Sequence, residues 1–327
     1  MQPTNTIKAM NLLSLFTKSY GALQNYGGMP VWVMTPFRRI IRKLANRILP
    51  HYLAKPVKYD GTIEKNLIIS FTSFPARIND VWMVIESLKR QTVLPEKIIL
   101  WLSKDQFPNV NDIPEGLKQR EDNLFEIRLV DGDIRSHKKY FYAMTEFPDK
   151  TFITCDDDVF YHPNMLKNLI TAARMYPGCI IANVSSEMTY DENGVLLPYV
   201  EWKNNFKPYA SRNRVQIGIG GVLYPPNCLS EMVLRKDLFT KLSPMADDLW
   251  LSLMARLTHT PVVQSSKNIL NLPIEDGSPS LSSVNNGEKN MNDVQICNMR
   301  NWLKDESLPD IYDKKYVVEN QSNPIKH

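Results

Sequence analysis

Thr151-Phe152-Ile153-Thr154-Cys155-Asp156-Asp157-Asp158-Val159-Phe160-Tyr161-His162-Pro163 is the stretch on which the reading of this 327-residue chain turns. An apolar, β-prone run ends there in three adjacent carboxylates. At the end of a buried strand each charge loses solvation and raises its neighbours' pKa, so the grouping costs the fold something unless it is offset. A hard cation offsets it. Mg²⁺ takes oxygen ligands and commonly binds through one or two carboxylates together with substrate phosphates. Asp156 and Asp158 are therefore candidate ligands of Mn²⁺ or Mg²⁺ in a metal-bridged diphosphate site. An acidic turn after a strand is the structural alternative. Asp157, between the two, is expected on the strand's other face, because successive strand side chains alternate.

Upstream, an apolar run at 67–71 followed by Thr72-Ser73-Phe74-Pro75 reads as a first buried strand and a turn. Ile78, Val81, Trp82, Ile85 and Leu88 then repeat at helical spacing to about Gln91, with Asn79 as the expected cap. Further apolar runs fall at 97–102, after Pro95, and at 124–130. This alternation predicts an α/β class: a mixed, mostly parallel sheet with helices on both faces. The triplet then sits at a carboxyl end of the sheet, where open α/β sheets bind ligands.

Downstream, residues 165–173 are helix-like, 179–184 form another apolar run, and Asp191-Glu192-Asn193-Gly194 reads as a hairpin turn. In Ile217-Gly218-Ile219-Gly220-Gly221-Val222-Leu223-Tyr224-Pro225-Pro226 the glycines run into Pro-Pro, whereas a dinucleotide fingerprint needs them between a first strand and a helix. A nicotinamide site is excluded on that ground. Gly220 and Gly221 are read instead as letting backbone approach an acceptor-side ligand or another strand. Asp247 and Asp248 open an apolar helix; the helix dipole accounts for one acid, and the other is a candidate general base that deprotonates a hydroxyl.

The apolar fraction of 43% and charged fraction of 23% are those of a globular chain, and four scattered cysteines give neither a zinc nor a disulfide pattern. The net charge of +4 is unevenly placed: residues 1–59 hold nine Lys or Arg and no acid, leaving 30 basic against 35 acidic residues beyond. That division argues against nucleic acid as partner of the catalytic part. It points to a separate N-terminal segment, 1–59, possessing an amphipathic helix. Thr35 is its expected cap, Pro36 its first residue and Pro50 its stop, with Phe37, Ile40, Ile41, Leu44 and Ile48 on one face and Arg38, Arg39, Arg42, Lys43 and Arg47 on the other. An anionic membrane surface is the expected partner, with Trp32 and Phe37 as anchors, and a helix packed on the domain is the alternative. No run is long enough to span a bilayer, so the expected location is cytoplasmic and peripheral on the inner face of the membrane.

The order of Thr72, Ser73 and Arg77 after an apolar strand, then Lys138-Lys139-Tyr140, the acidic triplet, the glycine stretch and Asp247-Asp248 resembles nucleotide-sugar glycosyltransferases of the GT-A fold. The likeness is to bacterial family-2-like enzymes of surface polysaccharide synthesis and covers about residues 65–300, within a catalytic domain placed at 60–300 and followed by a tail at 301–327. It implies a metal-dependent transferase moving a sugar from a nucleotide diphosphate to a saccharide acceptor, polyprenyl-linked if the N-terminal helix binds lipid. Asp156 and Asp158 would hold metal and diphosphate; Thr72, Ser73, Arg77, Lys139 and Asp157 would belong to the nucleotide-sugar site. Asp248 or Asp247 would be the base. Two other readings remain: a phosphatase of the haloacid dehalogenase type using Asp156 as nucleophile, although Phe160 stands where that motif has a hydroxyl, and a non-catalytic sugar- or nucleotide-binding module.

Overall fold

The computed structural model describes residues 11–23, 31–56, 61–203, 207–265, 271–275, 277 and 290–316. Two helices, α1 (Leu12–Ala22) and α2 (Val31–Leu53), precede β1 (Thr62–Thr72), α3 (Val81–Lys89), β2 (Val93–Ser103), the single turn α4 (Glu115–Lys118) and β3 (Phe125–Val130). Then come α5 (Lys138–Glu146), β4 (Thr151–Thr154), β5 (Val159–Phe160), α6 (Met165–Met175), β6 (Ile180–Glu187) and β7 (Arg214–Tyr224). The chain continues with α7 (Lys236–Leu242), α8 (Asp247–Leu257), β8 (Val262–Gln264), β9 (Leu272–Pro273) and α9 (Met291–Asp305). Residues 317–327 of the expected tail lie outside the described residues.

A seven-stranded sheet in the order β3-β2-β1-β4-β7-β6-β8 forms the centre, and β5 pairs with β9 apart from it. Neighbours are parallel except where β7 runs against β4 and β6, so β7 alone opposes the others. This is the expected mixed, mostly parallel Rossmann-like class. Every residue from Leu67 to Thr72 is buried, as a strand covered on both faces must be. Leu67, Ile69 and Phe71 pack with α3, α6 and the N-terminal helices, and Ile68 packs on the other face with Ile99, Trp101 and Val130.

Two local expectations shift. The first long helix after β1 begins at Val81 with Asp80 in the cap position, one residue beyond Asn79. The larger shift concerns α2, which begins before Pro36 and continues past Pro50, both of which lie inside it. Proline removes one ladder hydrogen bond at each place, at a cost of about 3 kcal/mol in a helix interior. Full burial of a leucine contributes about 1.5–3 kcal/mol, so Leu49 and Leu53 on either side of Pro50 together offset that loss. Nor is α2 a detached segment: Leu13, Tyr20, Ala45, Leu49 and Leu53 belong to the same core as β1 and α3. No described helix is long and apolar enough to cross a membrane.

Candidate active site at the carboxyl edge of the sheet

After β1 the chain moves outward to β2 and β3, then returns to place β4 on the other side of β1. Such a reversal opens a crevice beyond the carboxyl ends of the two strands. The end of β1 and the loop after it deliver Thr72, Ser73 and Arg77 to it, and the turn after β4 delivers the acidic triplet.

These two turns are bound to each other. Ser73 Oγ donates to Asp157 Oδ2 at 2.6 Å and Arg77 Nη1 donates to Asp157 Oδ1 at 2.7 Å. The same Nη1 lies 2.9 Å from Asp158 Oδ2. Both oxygens of buried Asp157 are thus engaged in joining the turns. Thr72 Oγ1 donates to the Trp101 carbonyl of β2 at 2.8 Å. Of the residues expected to contact nucleotide, Thr72, Ser73, Arg77 and Asp157 all spend side-chain polar atoms on the scaffold. Burial raises the Asp157 carboxyl despite Arg77 and Ser73, and burial with the adjacent Asp156 charge pushes Asp158 up to about 6.

Lys139 joins this turn to the second acidic pair. Its carbonyl accepts from Ser70 Oγ of β1, and Ser70 in turn accepts from Trp101 Nε1 at 2.7 Å, which fixes the start of α5 over the sheet. Lys139 Nζ pairs with Asp156 Oδ1 and stands 3.8 Å from Asp247 Oδ2. Burial alone would favour the neutral amine, but Asp156, Asp247 and Asp248 hold the ammonium charged, well above its ordinary range. Lys138, next in sequence, pairs with Asp133 instead. The Asp156 backbone is fixed from the other side, its N–H donating to Tyr161 Oη at 2.7 Å.

Asp247 and Asp248 occupy the first turn of α8, where the helix dipole favours negative charge. Their environments separate them. Burial would raise Asp247, yet Lys139 holds it below the ordinary carboxylate value. Asp248 is raised well above that value by burial and by Asp247. Its Oδ2 accepts from the Gly218 N–H at 2.9 Å. Across that glycine it faces the triplet: a Cβ on Gly218 would lie 3.1 Å from Asp248 Oδ1 and 3.6 Å from Asp156 Oδ1.

Register explains how β7 reaches there. Val222 pairs with Thr154, the last residue of β4, and β7 runs antiparallel, so residues before Val222 extend past the end of β4 over the triplet. Against β6 the pairing jumps from Ala182↔Val222 to Val184↔Ile217, which leaves residues 218–221 bulged opposite Asn183. Asn183 Nδ2 holds the bulge by donating to the Gly220 carbonyl at 2.8 Å. Of the two readings of Gly220, approach to another strand is the one this bulge produces. A Cβ on Gly220 would meet Val184 Cγ2 at 2.9 Å, and Gly221, at φ +82°, backs onto Met165. Gly220 and Gly221 therefore serve close packing on β6 and α6, and Gly218 is the cleft glycine.

Tyr199 is a second residue the sequence did not single out. Its phenol is raised by burial and by the nearby Asp248, and its ring packs on Trp202 with centroids 4.8 Å apart. Its backbone N–H donates to Asp293 Oδ1 at 2.8 Å. Asp293 also lines a groove of about 780 Å³ with Pro198, Ile296, Arg300, Asn301 and Lys304. No sequence pattern marks Tyr199; it opens a single 3₁₀ turn, Tyr199–Glu201, and gains its place through tertiary packing.

Among the described residues no group of three or more His, Cys, Asp or Glu is arranged to hold a metal by itself. Two carboxylates completed by substrate phosphates are nonetheless a normal Mg²⁺ site. Asp156 and Asp158 carry hard oxygen donors of that kind, with Lys139 paired to Asp156 Oδ1 and Arg77 2.9 Å from Asp158 Oδ2. The donor set fits Mg²⁺ or Mn²⁺.

No family model and no curated protein matches the sequence. Among solved structures, the apo form of a UDP-glucose pyrophosphorylase aligns at a TM-score of 0.39 and 11% identity, covering 71% of this chain and 100% of that one. The 4-diphosphocytidyl-2C-methyl-D-erythritol synthase of Anaerococcus prevotii aligns at 0.36 and 15%, covering 66% and 94%. The inositol-1-phosphate CTP transferase of T. maritima aligns at 0.35 and 15%, covering 62% and 85%. Likeness at this level assigns no residue a role.

Proposed function

We propose that the chain is a nucleotide-binding transferase and, more specifically, a metal-dependent glycosyltransferase acting from a nucleotide-diphosphate sugar onto a hydroxyl of a saccharide acceptor. The observation that carries this is the convergence of the two acidic groups on Gly218, with Lys139 between them. One group suits a diphosphate and its cation, and the other suits a hydroxyl that must lose a proton. Nucleotidyl transfer to a sugar phosphate would not need the second group as a base, because a phosphate nucleophile is already ionised.

In the proposed reaction Asp156 and Asp158 would hold Mg²⁺ or Mn²⁺, which would supply charge compensation for the departing diphosphate. Lys139, kept charged by its surroundings, adds a fixed positive charge on the same side. Asp248 takes the proton of the acceptor hydroxyl as its oxygen bonds to the anomeric carbon and the bond to the diphosphate breaks. A raised pKa improves a carboxylate as a base near neutral pH. Asp247, neutralised by Lys139, holds the start of α8 in place. The groove running from Asp293 past Arg300 gives an extended acceptor a surface beside Tyr199.

A panel of nucleotide sugars incubated with the full chain tests this reading. Metal-dependent release of nucleoside diphosphate, faster with a saccharide acceptor, is the expected result. Formation of nucleoside triphosphate only on adding pyrophosphate would replace it with nucleotidyl transfer. Binding without release would reduce the protein to a binding module, and a trapped aspartyl-phosphate at Asp156 would make it a phosphatase.

A further inference from the structure

The buried side of α2 is set by Ala45, Leu49 and Leu53, which leaves Phe37, Ile40, Leu44 and Ile48 facing outward, 55%, 56%, 47% and 37% exposed. At about 100° per residue these four fall within one narrow strip. Arg39, Lys43 and Arg47 are exposed too and form a second strip beside the first. The other basic residues of the helix turn inward: Arg38 Nη2 donates to Tyr20 Oη at 2.9 Å and Arg42 Nε pairs with Glu275 Oε1 at 2.6 Å. The structure thus divides the expected basic face in two, one part holding the helix to the protein and the other offered to a partner. Trp32, 77% exposed, stands near the helix start.

We infer that this outward face of α2 docks flat on an anionic lipid bilayer. An apolar strip beside a basic strip, with no acid anywhere in residues 1–59, complements a surface whose interior is apolar and whose headgroups are negative. A protein partner would need to supply both an apolar seam and a run of acids, and a second copy of α2 would set like charges against each other.

The docked helix is also tied to the cleft. Asn46 Nδ2 donates to the Pro273 carbonyl at 3.0 Å, and Asn46 Oδ1 accepts from the Glu275 N–H at 2.9 Å. Between them the Ile274 N–H donates to the Asp158 carbonyl at 2.8 Å. A bilayer under α2 therefore holds the Asp158 end of the cleft at a fixed place relative to the lipid, which suits an acceptor carried on a membrane lipid. That last clause rests on the transferase reading; the docking itself rests on α2 alone.

Sedimentation with vesicles of phosphatidylcholine, with and without phosphatidylglycerol, tests the docking in the absence of any substrate. The full chain should sediment with the anionic vesicles and remain in the supernatant with the neutral ones. Arg39→Gln, Lys43→Gln and Arg47→Gln together should weaken partitioning by about a hundredfold, from the contribution of three basic side chains near such a surface. Ile40→Glu with Leu44→Glu should abolish it. All five positions are exposed, and unchanged circular dichroism would show the fold intact. Equal sedimentation of wild type and variants, or none with either vesicle, overturns the inference. So does a vesicle-indifferent dimer that Ile40→Glu with Leu44→Glu splits, which would make the strip a seam between copies. None of these results depends on nucleoside diphosphate release, so docking and transfer fail separately.

Discussion

The turn at Asp156–Asp158 and the helix start at Asp247–Asp248 both crowd carboxylates together, and the structure treats them alike in one respect. In each, one acid is held for architecture: Asp157 by Ser73 and Arg77, Asp247 by Lys139. In the second, Lys139 holds Asp247 low while burial raises Asp248; in the first, burial raises Asp157 and Asp158 alike, and these two differ in that both oxygens of Asp157 are bound by Ser73 and Arg77. The groups also differ in what surrounds the other acid. Asp158 sits beside Asp156, whose Oδ1 pairs with Lys139, whereas Asp248 faces Asp156 across Gly218 and accepts from its N–H. On the proposed function, adjacent acids divide into a scaffold member and a working member, and the working members suit different tasks.

The largest break in that comparison should come from Asp158→Asn. Turnover should fall below detection, and donor binding measured calorimetrically should lose its dependence on Mn²⁺ or Mg²⁺. Lys139→Met should follow, since it removes the cation that both clusters share. Breaking a buried charge pair from one side costs about 3–5 kcal/mol, which denaturant unfolding would register. Gly218→Ala should be milder. Its Cβ would press on Asp248 at 3.1 Å, so transfer should drop about tenfold, as expected for a displaced catalytic group, with the melting temperature little changed.

The smallest effect concerns pH. Because Asp158 is raised to about 6 in the folded chain, the native state binds a proton more readily than the unfolded state does. Stability should therefore be greater below the ordinary carboxylate range and decline as pH rises through that range toward about 6. The Asp158 share is roughly 3 kcal/mol, and Asp158→Asn should reduce the decline by about that much in unfolding curves taken between pH 4 and 7. A decline undiminished in the variant would assign it to the other raised carboxyls, Asp157 and Asp248.

Much of this arrangement was legible in the sequence because it is local. The strand ending in acids, the acids opening α8 and the strand runs at 97–102 and 124–130 all follow from period and capping. The triplet's place at a carboxyl edge followed from strand order. What escaped depends on tertiary pairing. Gly218 differs from Gly220 only through the bulge that β6 imposes on β7. The engagement of Thr72, Ser73 and Arg77 with Trp101 and Asp157 joins residues about 30 and 80 positions apart, beyond any motif spacing. The prolines of α2 were read as boundaries because local propensity disfavours them inside a helix, and buried leucines overrode it.

The division between a scaffold acid and a working acid is tested most directly at α8. Asp248→Asn and Asp247→Asn should be compared for donor binding by calorimetry and for transfer by nucleoside diphosphate release. The Asp248→Asn protein should bind donor with metal as the wild type does and transfer about 10²–10⁴-fold more slowly, the range for loss of a general base. Transfer by Asp248→Asn within twofold of wild type would contradict the account.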